Sequence, residues 1–289
     1  MEWEQLTNAG IFGAIRNWRR RRMLATAAIP EPLWRQALEA LPFLAIYTED
    51  ELERLRERVV VFLTEKSIVG AAGFVVTPLM RVLIGMQACA PALYLDADSY
   101  DGWESVIVYP DEFVIAREFE DEAGVVHRER EQLAGESMPG GPVVLSWSDV
   151  EAGADWDAAG MNLVIHEFAH KLDMRNGDAN GCPPLPADIR PRHWQETMNA
   201  AYEHFRNRVD SGEDTTIDPY AAESPAEFFA VLSEVFFAEP ALLLHEYVTV
   251  YDLLRRFYRQ DPARRGELLM EWDHALPGGA PPASAAPNR

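Results

Sequence analysis

Only two cysteines occur in the 289 residues. Cys89 sits inside an apolar helical pattern and Cys182 in a Gly-Cys-Pro-Pro loop, and neither has the spacing of a metal knuckle or a redox pair. Both read as free thiols, because nothing else points to an oxidising compartment in which a Cys89–Cys182 bridge would persist. Long apolar runs are also missing. No stretch reaches the ~18 residues of a membrane span, and the N-terminus lacks the charged, apolar, small-residue order of a signal peptide, so a cytoplasmic protein is expected. Positive charge is the third scarcity: 26 Lys and Arg face 47 Asp and Glu, for a net charge of −21. Such a field repels nucleic acid and favours neutral or basic partners. The basic residues are uneven as well, with Arg16 and Arg19 to Arg22 crowded near the N-terminus. That run reads as a solvated helix end, with contact to RNA or lipid headgroups the lesser reading.

What is present is a core-forming composition, 48% hydrophobic, enough for one large domain. Residues 1–28 read as a basic amphipathic arm with Ile11, Phe12, Ile15 and Trp18 on one stripe. Residues 29–274 read as a single domain, and 275–289, rich in Pro and Ala, as a disordered tail. Helices are expected at Glu31 to Leu41 and Glu49 to Lys66, with Pro42 interrupting between them. Ile68 to Val76 reads as a short strand, and Thr77-Pro78 opens a helix through about Ala90. From Ser105 the period changes to that of strands, at Val106 to Tyr109, Phe113 to Ile115, Val125 to Arg130 and Pro142 to Trp147, with a turn at 121–124. The expectation is an α+β fold with a small, largely antiparallel sheet just upstream of the most informative helix.

That helix contains His166-Glu167-Phe-Ala-His170. At ~100° per residue, His166 and His170 share a face one turn apart and can reach one metal ion, with Glu167 beside them. Two neutral imidazoles at this spacing suit zinc, and an adjacent carboxylate can hold and deprotonate a water. The motif is short and occurs on solvated helices without chemistry. Here Leu163, Val164, Ile165, Phe168, Ala169 and Leu172 make the surroundings apolar almost all round, so polar groups turned inward need a partner, which a metal supplies. Asp173 lies two turns beyond His166, too far for the same ion, and suits a supporting role.

Catalytic zinc takes three protein ligands. Glu227, in Ser224-Pro-Ala-Glu227-Phe-Phe, admits two readings. It can close a capping box with Ser224, or, since its helix is apolar nearly all round, it can turn inward with Glu234 and serve as the third ligand. Val143 to Trp147 likewise reads either as a strand that aligns a peptide beside the metal by backbone pairing or as an ordinary core strand.

His166-Glu-Phe-Ala-His-Lys-Leu-Asp173, together with Tyr220 and Ala226-Glu227-Phe-Phe-Ala230, resembles the Mlc titration factor A family of zinc peptidases. The likeness extends from about Trp18 to Leu268 and takes in Gly141-Pro-Val-Val-Leu-Ser-Trp-Ser-Asp149. The Tyr220-to-Glu227 arrangement is also similar to the catalytic domain of anthrax lethal factor. The resemblance implies one Zn²⁺ per chain held by His166, His170 and Glu227, Glu167 as general base and Tyr220 as transition-state donor. It also implies a zincin-like (gluzincin) fold with extra helices, aminopeptidase-like activity on peptide substrates, and binding of the glucose-regulated repressor Mlc, through which sugar phosphotransferase expression is controlled. An aminopeptidase needs an acidic anchor for the substrate amine, for which Glu223 is one candidate. The alternative class is a non-catalytic protein that sequesters a repressor and uses the zinc structurally. Glu167 favours chemistry, because a closed structural site has no use for a base.

Overall fold

The fold is described here from a computed structural model, for residues 22–24, 27–120, 126–153 and 161–267, the side chains of 114–120 and 126–133 excepted. The proposed arm up to residue 21, the 121–124 turn and the 275–289 tail lie outside the described residues.

Helix α1 (Glu31–Glu39) ends before Pro42, where the backbone tightens into a 3-10 turn over Pro42–Ile46. Thr48 and Glu51 then close a reciprocal capping box that starts helix α2 (Glu49–Glu65), satisfying two of the amides a helix start leaves open. Strand β1 (Ser67–Gly70) follows and is shorter than the expected Ile68 to Val76. At Gly70 the chain folds back so closely that a Cβ would lie 1.8 Å from the Phe74 carbonyl oxygen, and Val75 is left 77% exposed. Helix α3 (Pro78–Cys89), capped by Thr77, carries the chain to strand β2 (Ser105–Tyr109).

Strands β3 (Phe113–Glu120) and β4 (Val126–Leu133) pair, among the described residues, only with each other, as an antiparallel two-stranded ribbon. Strands β5 (Gly135–Ser137) and β6 (Val143–Ser146) rejoin the main sheet, whose order is β1-β2-β6-β5. Its β1–β2 and β2–β6 pairs are parallel and only β5–β6 is antiparallel. The expected largely antiparallel sheet is therefore corrected to a mixed one. Parallel neighbours need a crossover of a dozen or more residues, here supplied by α3 and by the β3–β4 ribbon. Strands β2 and β6, neighbours in the sheet, are thus not consecutive in sequence.

Beyond the sheet come α4 (Trp147–Ala152), α5 (Leu163–Asp173), α6 (Pro191–Asp210), a 3-10 turn (Pro219–Ala222), α7 (Pro225–Ala238), α8 (Pro240–Glu246) and α9 (Val248–Tyr258). Helices α5 and α7 are the pair that matters for the site, and both are enclosed. Phe168 of α5 packs among Phe62, Tyr100 and Trp103 at ring-centroid distances of 5.1–5.7 Å. Phe228, Phe229, Phe236 and Phe237 bury α7 on several sides. Edge-to-face ring packing of this kind resists rotation of a helix about its axis as well as its displacement. One cluster of buried side chains runs from Ile29 to Ala263. Among the described residues no helix is long and apolar enough to cross a membrane, and Cys89 and Cys182 are free thiols.

Candidate metal centre

The side chain of Asn162 accepts the Ile165 amide and starts α5, while its Nδ2 donates to Gln87 Oε1 at 2.8 Å. The helix start is thus tied to α3 and its phase is set. One turn on, His166 and His170 present their Nε2 atoms to each other at 3.1 Å. Glu227 Oε2, from the first turn of α7, stands 3.0 Å from the first and 3.2 Å from the second. The three ligand-type atoms come together at one point. Nitrogen and oxygen ligands held ~2.0–2.2 Å from a tetrahedral ion lie a little over ~3 Å apart, so two imidazoles and a carboxylate in this arrangement fit a divalent cation.

Both readings of Glu227 have a share in the structure. Ser224 Oγ does accept the Glu227 amide, at 3.1 Å, which makes half of a capping box. The Glu227 carboxylate turns to the histidines instead of back to Ser224. Burial pushes this carboxyl up, and the hydrogen bonds and charges of His166 and His170 more than reverse that, holding it down at about 2. It is an anion facing two imidazoles across the pH range of ordinary buffers.

Glu234 is the residue that sequence reasoning left without a role. Its Oε1 lies 2.6 Å from His166 Nδ1, and its Oε2 accepts the Asn162 amide at 2.7 Å. A carboxylate facing Nδ1 holds a proton there, which makes Nε2 the ring nitrogen turned to His170 and Glu227. Burial lowers the His166 pKa, but Glu234 and Glu227 outweigh it, and the group is raised well above its ordinary value. The available signal was spacing: Glu234 follows Glu227 by seven residues, two turns along one face of an otherwise apolar helix.

Glu167 is 4% exposed, and its Oε2 has no hydrogen-bond partner among the described residues. Burial raises its pKa, with the two imidazoles acting in the opposite direction. Gly135 of β5 passes directly over it: a Cβ there would lie 2.4 Å from Glu167 Oε1. Ser137 Oγ of the same strand donates to the Glu167 carbonyl at 2.8 Å. Strand β5 is the outer strand of the sheet on the side of the helix, while β6 lies between β2 and β5 with all four residues buried. Val143 to Ser146 is therefore a core strand with both edges occupied, and the backbone edge near the site belongs to β5.

A cleft of about 450 Å³ opens onto this group, with His166, Glu167, Gly135, Tyr220 and Glu234 in its wall. Tyr220 is 46% exposed, and its ring centroid is 6.1 Å from that of His166. It is carried by the Pro219–Ala222 turn, which Asp218 caps through the Tyr220 amide at 2.9 Å. Asp149 and Asp218 also line the cleft. Glu223, the candidate amine anchor, is exposed and is not part of that wall. Asp173 accepts the Asn180 and Gly181 amides at 2.7 and 2.6 Å, so its carboxylate fastens the loop after α5.

The sequence profile of the "Glucose-regulated metallo-peptidase M90" family matches residues 15–259. Among the similar proteins are those called Mlc titration factor A in Yersinia pestis (strain Pestoides F) and in Yersinia pseudotuberculosis serotype O:1b (strain IP 31758). Each is 38% identical over 260 residues, which is 89% of this chain and 93% of the relative.

Proposed function

The chain belongs to the glucose-regulated metallo-peptidase M90 family, and from that premise we propose that it hydrolyses peptide bonds with one zinc ion held by His166, His170 and Glu227. The observation that carries this reading is the convergence of those three ligand atoms beside a buried carboxylate, Glu167, that has an oxygen to spare. A structural site, closed by a fourth protein ligand, would leave that oxygen without work.

When bound, zinc supplies a Lewis acid that polarises the scissile carbonyl and acidifies water. Glu167 takes the proton of the attacking water and returns it to the leaving amine, and its raised pKa suits both halves of that transfer. Tyr220, on the cleft wall, donates a hydrogen bond to the oxyanion of the tetrahedral intermediate, a contribution of the kind worth ~10² to 10³ in rate. The outer edge of β5, beside which no further strand lies among the described residues, pairs with the backbone of an extended peptide and lays its carbonyl before Glu167. Asp149 and Asp218 give the cleft the negative charge that a free substrate amine requires, which supports aminopeptidase action.

The name of the relatives speaks of Mlc titration, and we extend that to this chain as a second activity, binding of an Mlc-like repressor in the cytoplasm. The experiment that tests the peptidase reading compares amino-acid nitroanilides with internally quenched peptides, with and without a chelator. Zinc-dependent release, stronger on substrates with a free N-terminus, is expected. Turnover that survives complete metal removal would refute the metal role. A pull-down of the repressor by the Glu167→Gln protein separates binding from catalysis.

A further inference from the structure

Helix α5 buries a cation that the chemistry above does not employ. Lys171 is 4% exposed, and among the described residues no carboxylate lies within ion-pair distance of its ammonium. Its Nζ donates instead to two backbone carbonyls, Met138 O at 2.6 Å and Gly141 O at 2.9 Å. It also lies 5.2 Å from the centre of the Trp103 ring. Taking an ammonium out of water is costly unless dipoles replace its hydration, so carbonyls that satisfy it are held firmly in return.

Those carbonyls belong to the turn that joins β5 to β6. The turn is closed by Gly141 N donating to Met138 O at 3.0 Å and Met138 N donating to Pro142 O at 3.3 Å. Gly140 adopts a φ of +63° within it. Lys171 follows Glu167 by four residues, so the two lie on one face of α5, one turn apart, and that face meets β5. The strand is attached along its length: Gly135 against the Glu167 carboxylate, Ser137 Oγ on the Glu167 carbonyl, and the turn after Ser137 on Lys171. Of these, the Lys171 bonds are the charge-assisted ones and therefore the strongest.

We propose that Lys171 is a positioning residue: its ammonium clamps the β5–β6 turn to α5 and sets the distance between the substrate-pairing edge and Glu167. Substrates long enough to run along β5 depend on the clamp, and substrates confined to the metal centre do not. The proposal rests on the peptidase reading for its kinetic consequence but not for its structural one.

The test is Lys171→Met, similar in length and without charge or donors, in the full chain loaded with zinc. Amide hydrogen exchange over residues 135–141 is expected to quicken by roughly tenfold or more, with α5 protection and zinc content unchanged. KM for an internally quenched decapeptide with a free N-terminus should rise roughly tenfold, while KM for an amino-acid nitroanilide stays within about twofold. Lys171→Arg, which keeps both charge and donors, should restore most of the protection and the decapeptide KM. Unchanged exchange at 135–141 overturns the proposal, as does an equal loss on both substrates. Should Lys171→Met fail to fold, the same readings are taken on Lys171→Gln, which keeps an amide donor. If the wild-type protein cleaves neither substrate, the peptidase reading fails, and the exchange measurement still decides the clamp.

Discussion

At the scale of single residues, the centre is a set of polar groups made compatible with burial by one another. Glu167 and Glu234 are similarly enclosed and differ in what their oxygens meet. Both oxygens of Glu234 have partners, a ring nitrogen and an amide, whereas Glu167 keeps one oxygen without any among the described residues. On the proposed mechanism, that difference suits the first to positioning and the second to proton transfer. Glu167→Gln is expected to retain zinc and to lose ~10² to 10⁴ in kcat, read by turnover together with metal content from atomic absorption. Full activity in that variant would remove Glu167 from the chemistry. Glu234→Gln should weaken zinc binding by ~10- to 100-fold, as loss of a partner behind a histidine ligand typically does, measured by competition with a chromophoric chelator.

At the scale of elements, the site depends on how closely β5 crosses α5. Only a residue without a side chain fits at Gly135, since a Cβ would stand 2.4 Å from Glu167 Oε1 and 2.7 Å from Leu163 Cδ1. Both atoms are ends of side chains carried by α5, so a methyl group at this position moves the Glu167 carboxylate and not the helix backbone. Gly135→Ala is therefore expected to displace the Glu167 carboxylate and to cost ~10² in kcat, a penalty typical of a 1 Å misplacement. Zinc content should remain near one per chain, because the three ligand atoms lie on α5 and α7 and not on the strand. Wild-type turnover in this variant would show that the edge strand has room to yield.

At the scale of the molecule, the proposed ligands are delivered by two helices, α5 and α7, whose packing does not pass through a metal. The buried cluster spans α1 to α9, and Glu227 and Glu234 are aimed at α5 by the apolar faces of α7. The metal-free protein is accordingly expected to stay folded, with far-ultraviolet circular dichroism close to that of the loaded form. Zinc at 100 to 1,000 times its dissociation constant should add ~2.7–4.1 kcal/mol of stability, or roughly 5–15 °C in Tm for a chain of this size. A chelated protein that unfolds at room temperature would instead make the ion part of the folding free energy, as in zinc fingers.

What the sequence determined by itself was local. The shared face of His166 and His170, the cap at Thr77, the break at Pro42 and the cap at Ser224 all follow from spacings within one or two helical turns, which the chain cannot alter once it is helical. Tertiary structure decided whatever depended on distant partners. Backbone alternation does not say which strand lies beside which, so a sheet that reads as antiparallel along the chain is mostly parallel in space. For the same reason the edge near the site is β5 and not Val143 to Ser146. Nor could spacing say which way the Glu227 carboxylate turns: its amide makes half of a capping box with Ser224, and its carboxylate faces the histidines. That choice was made by the packing of α7 on α5, which also brought Glu234 to His166 from 68 residues away.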